Sequence, residues 1–167
     1  MAQFCTGDMW TAYETAGLFL ITTNSTVKAD GRLVMGRGMA RQSRERFPGL
    51  DLALGTQIQV VCGNQGVYGL LISRRWPAAK VAAFQVKYHW QRPADLSLIT
   101  RSATALTWWA RYHADCAIHL NFPGIGNGGL ARTAVLPLLA ALPDNVTIWE
   151  FAAPPVPRPE QENDERT

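Results

Sequence analysis

The stretch Ala117–Leu130, AIHLNFPGIGNGGL, decides how the chain is read. Ala117 to Phe122 form a short, nearly continuous apolar run, the pattern of a buried strand. The run breaks into Pro123-Gly124-Ile125-Gly126-Asn127-Gly128-Gly129 and then into Leu130–Leu142, which is helical in composition. A strand, a glycine-rich turn and a helix in this order aim backbone N–H groups and a helix N-terminus at an anion. The glycines also let a ligand approach the main chain with no Cβ in the way. One such loop can equally be a plain connection. A second loop of the same kind elsewhere decides between the two.

Upstream, Ala2–Thr6 reads as a first strand ending at Gly7-Asp8, followed by a short turn or helix over Met9–Ala16. Leu18–Ile21 is a second buried strand that runs into the polar Thr22-Thr23-Asn24-Ser25, and Lys28-Ala29-Asp30-Gly31 has turn chemistry. Val34-Met35-Gly36-Arg37-Gly38 opens a helix to about Phe47, closed by Pro48-Gly49. Leu50–Val61 is a further helix, ended by Cys62–Gly66. Val67–Ile72 and Val81–Gln85 are strand-like and are joined through Ser73-Arg74-Arg75-Trp76-Pro77. Asp95 is placed to N-cap a helix to about His113, with Leu96, Ile99, Ala103, Leu106 and Ala110 on one face. Downstream of Gly129 a helix to Leu142 is expected, kinked at Pro137, and Val146–Phe151 is the last strand. Strands alternating with helices predict an α/β sheet covered on both faces.

The chain has 167 residues, 47% of them hydrophobic, the size and composition of one globular domain with a substantial core. No apolar run approaches the roughly 18 residues of a membrane span. The opening MAQFCTGD has no charged region followed by an apolar stretch, so no signal peptide is expected and the predicted location is cytoplasmic. Cys5, Cys62 and Cys116 are widely spaced, which points to a reducing compartment and to neither a disulfide framework nor a zinc site. No metal and no cofactor is expected. From Pro154 onward the sequence carries four acids and two arginines; taking these from totals of 13 and 16 leaves 9 against 14, a body of +5. A basic body suits a polyanionic partner. The domain is expected over residues 1–152, with a disordered tail at 153–167.

The second loop is Asp30–Gly38, DGRLVMGRG, which also enters a helix. Two glycine-bearing loops at helix starts suit a pyrophosphate held from two sides. Between them in sequence lies Phe84–Trp90, FQVKYHW, a strand end that carries Lys87 among aromatics. A lysine partly desolvated there would have a lowered pKa and could act as nucleophile or proton donor. The alternative for Lys87 is a surface cation lying over Trp90.

Gly7-Asp8, Thr23-Asn24, Val34–Gln42 (VMGRGMARQ) followed by Arg46-Phe47-Pro48, Phe84–Trp90 and Pro123–Leu130 (PGIGNGGL) together resemble a macrodomain. Within that family the pattern is most similar to the DarG type, an antitoxin that removes ADP-ribose from thymidine in DNA. The resemblance spans Phe4 to about Phe151 and implies a three-layer α/β/α sandwich with a mixed central sheet. It also implies roles. Asp8 matches the carboxylate that accepts the adenine amino group, and Met9 adjoins it. Asn24 matches an asparagine near the distal ribose. Met35, Gly36, Arg37 and Gly38 match the first phosphate-binding loop. Gly124, Ile125, Gly126, Asn127 and Gly128 match the second. Phe151 sits where an aromatic packs against adenine. Lys87 matches the catalytic lysine, with Asn24 as its companion. The implied activity is hydrolysis of ADP-ribose from a modified nucleobase, by a monomer acting on single-stranded DNA. The alternatives are a non-catalytic ADP-ribose reader and a hydrolase of ADP-ribosylated protein or other ADP-ribose esters.

The chain departs from the family pattern in several places. Ile21 stands where a first asparagine is expected, and Lys28–Arg32 lengthens the first loop. DarG-like chains usually continue into a toxin-binding domain. Related terminal ADP-ribose hydrolases carry an aspartate in the second loop where this chain has Gly128, which leaves Lys87 as the main catalytic candidate.

Two other nucleotide-binding readings fail. Gly124-x-Gly126-x-x-Gly129, with Glu150 about 20 residues on, fits a dinucleotide-binding fingerprint. Only one strand follows it, however, so no βαβαβ unit can be built downstream. A P-loop is excluded because no G-K-[ST] occurs. Arg37, Arg41 and Arg44 fall on one helix face, and with Arg74-Arg75 they could form a track for a DNA strand or simply a solvated face.

Overall fold

The strands are β1 (Gln3–Thr6), β2 (Leu18–Thr23), β3 (Leu70–Leu71), β4 (Val81–Gln85), β5 (Ile118–Asn121) and β6 (Val146–Glu150), with β-branched or aromatic residues in all but β3. The computed structural model describes residues 1–72 and 78–151. The expected connection Ser73–Pro77, with Arg74-Arg75, and the expected tail at 153–167 lie outside these residues. The strands make one sheet in the order β1-β6-β5-β2-β4-β3. Every neighbouring pair is parallel except β3 with β4, so the sheet is mixed. β2 and β4 are buried on both faces, in keeping with the apolar runs Leu18–Ile21 and Val81–Phe84 that open them.

Four helices cover the sheet: α1 (Gly38–Arg46), α2 (Leu50–Cys62), α3 (Leu96–Tyr112) and α4 (Arg132–Val135). α1 packs on β2 and on α2, and α3 packs on β4 and β3, giving the three-layer α/β/α arrangement. One continuous core joins the layers through Phe19, Leu20, Ile21, Phe84, Ile99, Leu120 and Ile148. Asp95 caps α3 as expected, accepting from the N–H groups of Ser97 (2.8 Å) and Leu98 (3.1 Å). Cys5, Cys62 and Cys116 are free thiols. No helix among the described residues is long and apolar enough to cross a membrane.

Three expectations need correction. Leu96 does not join the apolar face of α3 but is 42% exposed. As the first helical residue its side chain leans beyond the helix end, where no preceding turn covers it. The helix expected over Leu130–Leu142 is a single α-turn, α4, followed by a 3₁₀ turn at Leu136–Leu139. Pro137 lacks the N–H that an α-helix would need and lies near the start of that tighter turn. The strand expected over Val67–Ile72 pairs only at Leu70–Leu71, because Gly66 and Gly69 have φ of 68° and 71°. Lys28–Arg32 forms the turn expected of it and is anchored at its base: Val27 and Leu33 close it as a bridge, Leu33 N donates to Asp51 O (2.9 Å), and Arg32 pairs with the Asp51 carboxylate (3.1 Å).

That last contact sets a sharp test of packing. A Cβ built on Gly55, in the middle of α2, would overlap the carbonyl oxygen of Gly31 and meet Leu33 N at 2.8 Å. Helix propensity alone would make Gly55→Ala stabilising by roughly 1 kcal/mol. The overlap reverses the sign: a net loss of about 1–3 kcal/mol is expected in chemical denaturation, as for other overpacked sites. A stabilised variant would show that the 31–33 segment is not seated on α2.

Candidate functional site

Parallel pairing brings the C-terminal ends of β2, β4, β5 and β6 to one edge of the sheet, the edge at which ligands bind in open α/β sheets. The chain leaving each of these ends lines a cleft of about 1030 Å³. Thr22, Thr23 and Asn24 follow from β2, Val86 and Lys87 from β4, Asn121 and Phe122 from β5, and Trp149, Glu150 and Phe151 from β6.

Two glycine loops form opposite walls. The first runs Met35–Gly38 into the start of α1, with Met35 buried beneath it. The second is Gly124–Gly129, and here the structure differs from the sequence expectation. No helix begins directly at this loop; Gly126–Gly128 is itself a 3₁₀ turn, and α4 starts only at Arg132. An anion would therefore be held by loop amides rather than by a helix dipole. Among the described residues, the N–H groups of Ile125, Gly126 and Asn127 donate to no backbone carbonyl. Gly124 has φ of 79°, and a Cβ on it would strike Ile99 Cδ1 at 2.6 Å, so only glycine fits. Gly126 has φ of 62° but nothing within 4 Å of its absent Cβ, so it faces open cleft. The loops nearly touch: a Cβ on Gly38 would lie 3.8 Å from Asn127 Nδ2.

Lys87 stands between the loops. Its Nζ donates to Asn127 O at 3.0 Å, with Trp90 O at 3.5 Å. Partial burial lowers the Lys87 pKa, and the Arg37 guanidinium across the cleft lowers it further. Trp90 is 45% exposed on the rim, and Lys87 beside it is half-buried with its amine directed to Asn127 O. Arg37, Lys87 and Arg92 line the cleft, whereas the one carboxylate in its lining, Glu150, is tied to Arg132 at 2.8 Å. The result is an electropositive cleft.

Asn24 lines the same cleft, but its side-chain amide is engaged at both ends. Nδ2 donates to Val34 O (2.9 Å) and Oδ1 accepts from Thr26 N (2.8 Å). It staples the first loop to the end of β2. Phe151 lies at the far rim, 56% exposed. Asp8 and Met9 are not part of the cleft lining. Met9 is buried in the core, and Asp8 is exposed and caps the Met9–Ala12 turn by accepting from Trp10 N at 3.0 Å. The turn adjoins the cleft through Gly7 N, which donates to Glu150 O at 2.8 Å. Of the arginine track, Arg37 lines the cleft, while Arg41 is occupied by Glu45 (2.9 Å).

Several lining residues escape the sequence reading. Asn121 closes β5 against β2, accepting from Thr22 N (3.0 Å) and donating to Thr22 Oγ1 (2.8 Å). Trp149 forms part of the wall and donates from Nε1 to His119 Nδ1 (2.9 Å), whose pKa burial lowers. Each had a faint signal, a polar or amphipathic residue ending an apolar strand. Among the described residues no three His, Cys, Asp or Glu side chains gather as a metal site would require.

No protein-family profile and no curated protein sequence matches the chain. Solved structures do. The macrodomain of Mycobacterium tuberculosis DarG superposes with a TM-score of 0.63 at 24% identity, covering 89% of this chain and 97% of that one. The macrodomain of Thermus aquaticus DarG gives 0.60 at 23% identity over 92% and 99%. Thermosipho africanus DarTG, solved in complex with ADP-ribose, gives 0.64 at 19% identity over 90% of this chain and 42% of that one.

The electrostatic account of Lys87 can be checked without any substrate. Replacing Arg37 with alanine removes the second cause of its lowered pKa and leaves the first. The Lys87 titration, followed by NMR of labelled lysine, is expected to move upward in Arg37→Ala but to stay below that of an ordinary lysine. An unchanged titration would mean that the two cations do not sense each other.

Proposed function

Because the chain has the macrodomain fold, we propose that it binds ADP-ribose in this cleft and hydrolyses it from a modified nucleobase, thymidine in DNA. The observation that carries the reading is the amine of Lys87, its pKa lowered, standing between two glycine loops in an electropositive cleft. The pyrophosphate takes the amides of Gly124–Asn127 and of the first turn of α1. Adenine lies towards Phe151, with the Asp8 carboxylate reading its amino group from the adjoining turn. The distal ribose then falls beside Asn24 and Lys87. Asn24 holds the first loop with one donor hydrogen and one acceptor position of its amide, which leaves a second N–H for the ribose.

Lys87 can act in two ways at the anomeric carbon. As acid, its ammonium donates a proton to the departing base while water attacks the carbon, and the water proton returns to the amine. As nucleophile, the neutral amine forms the bond to carbon as the bond to the base breaks, and water later displaces it. Burial and Arg37 both favour the neutral form that the second route needs. Neither route requires a metal. A second reading is an ADP-ribose reader without chemistry, in which Asn24 serves only to staple the first loop to β2.

Side-by-side incubation with ADP-ribosylated single-stranded DNA and ADP-ribosylated protein separates these readings. Release from DNA alone is expected; release from neither, with ADP-ribose still bound, would make the protein a reader. Gly126→Glu should place a carboxylate where the pyrophosphate sits. It is expected to abolish ADP-ribose binding by calorimetry, at a folding cost of about 1–2 kcal/mol for the left-handed backbone. Lys87→Ala should bind ADP-ribose about as well as wild type but release it roughly 10²–10⁴-fold more slowly. Lys87→Arg should be nearly as slow, because arginine keeps its proton and does not attack carbon. An active arginine variant would reduce Lys87 to a source of positive charge.

A further inference from the structure

Gln85 is the one polar side chain in β4 and is wholly buried. A glutamine amide has two donor hydrogens and two acceptor positions, and here all four are used. Oε1 accepts from Tyr68 N (2.8 Å) and Gly69 N (3.0 Å), and Nε2 donates to Gly66 O (2.6 Å) and Lys87 O (3.2 Å). The 66–69 segment, with its two left-handed glycines, keeps one main-chain bond to β4, from Gln85 N to Gly69 O at 2.8 Å, and the Gln85 side chain supplies further ones. An apolar residue at this position would leave two N–H and two C=O groups without these partners in the protein interior.

The network continues to the end of β2, the strand beside β4, where Val86 N and Lys87 N donate to Thr23 O at 2.9 and 3.4 Å. The Tyr68 hydroxyl donates to Asn24 O at 2.6 Å and shares a 2.6 Å hydrogen bond with Thr23 Oγ1. Ser102 Oγ, from α3, lies 2.8 Å from Gln85 O and 3.0 Å from Gly69 O. One buried set of neutral groups thus holds the main chain of Lys87, of Asn24 and of the segment between β3 and α2. Gln85 itself is absent from the cleft lining and touches no ligand position.

We propose that Gln85 is the positioning residue for Lys87, its amide fixing the main chain that carries the lysine and tying it through Tyr68 to the chain that carries Asn24. The inference rests on the catalytic reading of Lys87 for its consequence in turnover, but not for its consequence in geometry. With Lys87 O held, the side chain is directed onto Asn127 O, within the field of Arg37 on the first loop and with Arg92 on the same cleft wall. With Lys87 O released, the ammonium gains solvent.

The test compares Gln85→Met, which removes all four hydrogen bonds at similar volume, with Gln85→Asn, a milder change whose shorter amide cannot reach every partner. Ser102→Ala serves as a control that weakens the same network away from Lys87. Melting temperature, ADP-ribose affinity, kcat and KM on ADP-ribosylated DNA, and the NMR titration of Lys87 are measured on each. Gln85→Met is expected to move the Lys87 titration upward and to lower kcat at least tenfold, with ADP-ribose affinity within threefold of wild type. Gln85→Asn should move both in the same direction by less. Ser102→Ala should leave both unchanged, whatever melting temperature it loses. Wild-type titration and kcat in both Gln85 variants would overturn the proposal, as would Ser102→Ala reproducing their losses. If Lys87→Ala stays fully active while Gln85→Met still shifts the titration, the positioning role stands and the catalytic reading of Lys87 falls.

Discussion

Parallel hydrogen bonding of β2 to both β4 and β5 is the constraint on which the site depends. Parallel strands end on the same side, so the chain leaving each one must turn over the same edge of the sheet. Three loops with different sequences are thereby brought to one place: the first glycine loop, the lysine segment and the second glycine loop. β6, parallel to β5, adds Trp149, Glu150 and Phe151 to the same rim. A slip of register would move core side chains such as Phe19 and Phe84 out of their packing and the buried Gln85 away from its partners. The cleft is thus a consequence of how the core is buried.

Within that frame, backbone conformation and charge divide the work. Glycines shape the two walls, and their open amides suit an anion better than the short α4 could. Arg37, Lys87 and Arg92 add positive charge, while Arg132 takes Glu150 out of the balance. Charge and burial act on Lys87 in the same direction, both disfavouring its ammonium, and a pyrophosphate bound nearby would act in the opposite one. The lysine is therefore placed where ligand binding and proton affinity are coupled.

Much of this was legible in the sequence, and what was not has a common cause. Long apolar runs and glycine clusters are local signals, so the strands, both loops and the FQVKYHW segment could be read directly. Lys87 and Asn24 do share the cleft with the loops. Asn24 was visible as a residue but not in its function, because the loop it staples is set by Val34 and Thr26 in three dimensions. Gln85 looked like a lone polar residue in an apolar strand; its four partners lie at Gly66–Gly69 and Lys87, and no spacing rule connects them. The helix expected after Gly129, kinked at Pro137, is instead one α-turn that tightens into a 3₁₀ turn there. Leu96 failed because periodicity assigns a face but not how far the neighbouring layer extends. Local chemistry was readable, and closure between segments was not.

The neutral character of the network beneath the cleft has a consequence of its own. Thr23, Gln85 and Ser102 carry no ionisable group, and burial raises the Tyr68 phenol well above its ordinary pKa. His119, behind Trp149, is pushed towards its neutral form by the same burial. The supporting scaffold therefore contributes no proton linkage of its own near neutral pH. A ligand entering between the walls can therefore change the protonation of Lys87 without placing a charge on this buried network.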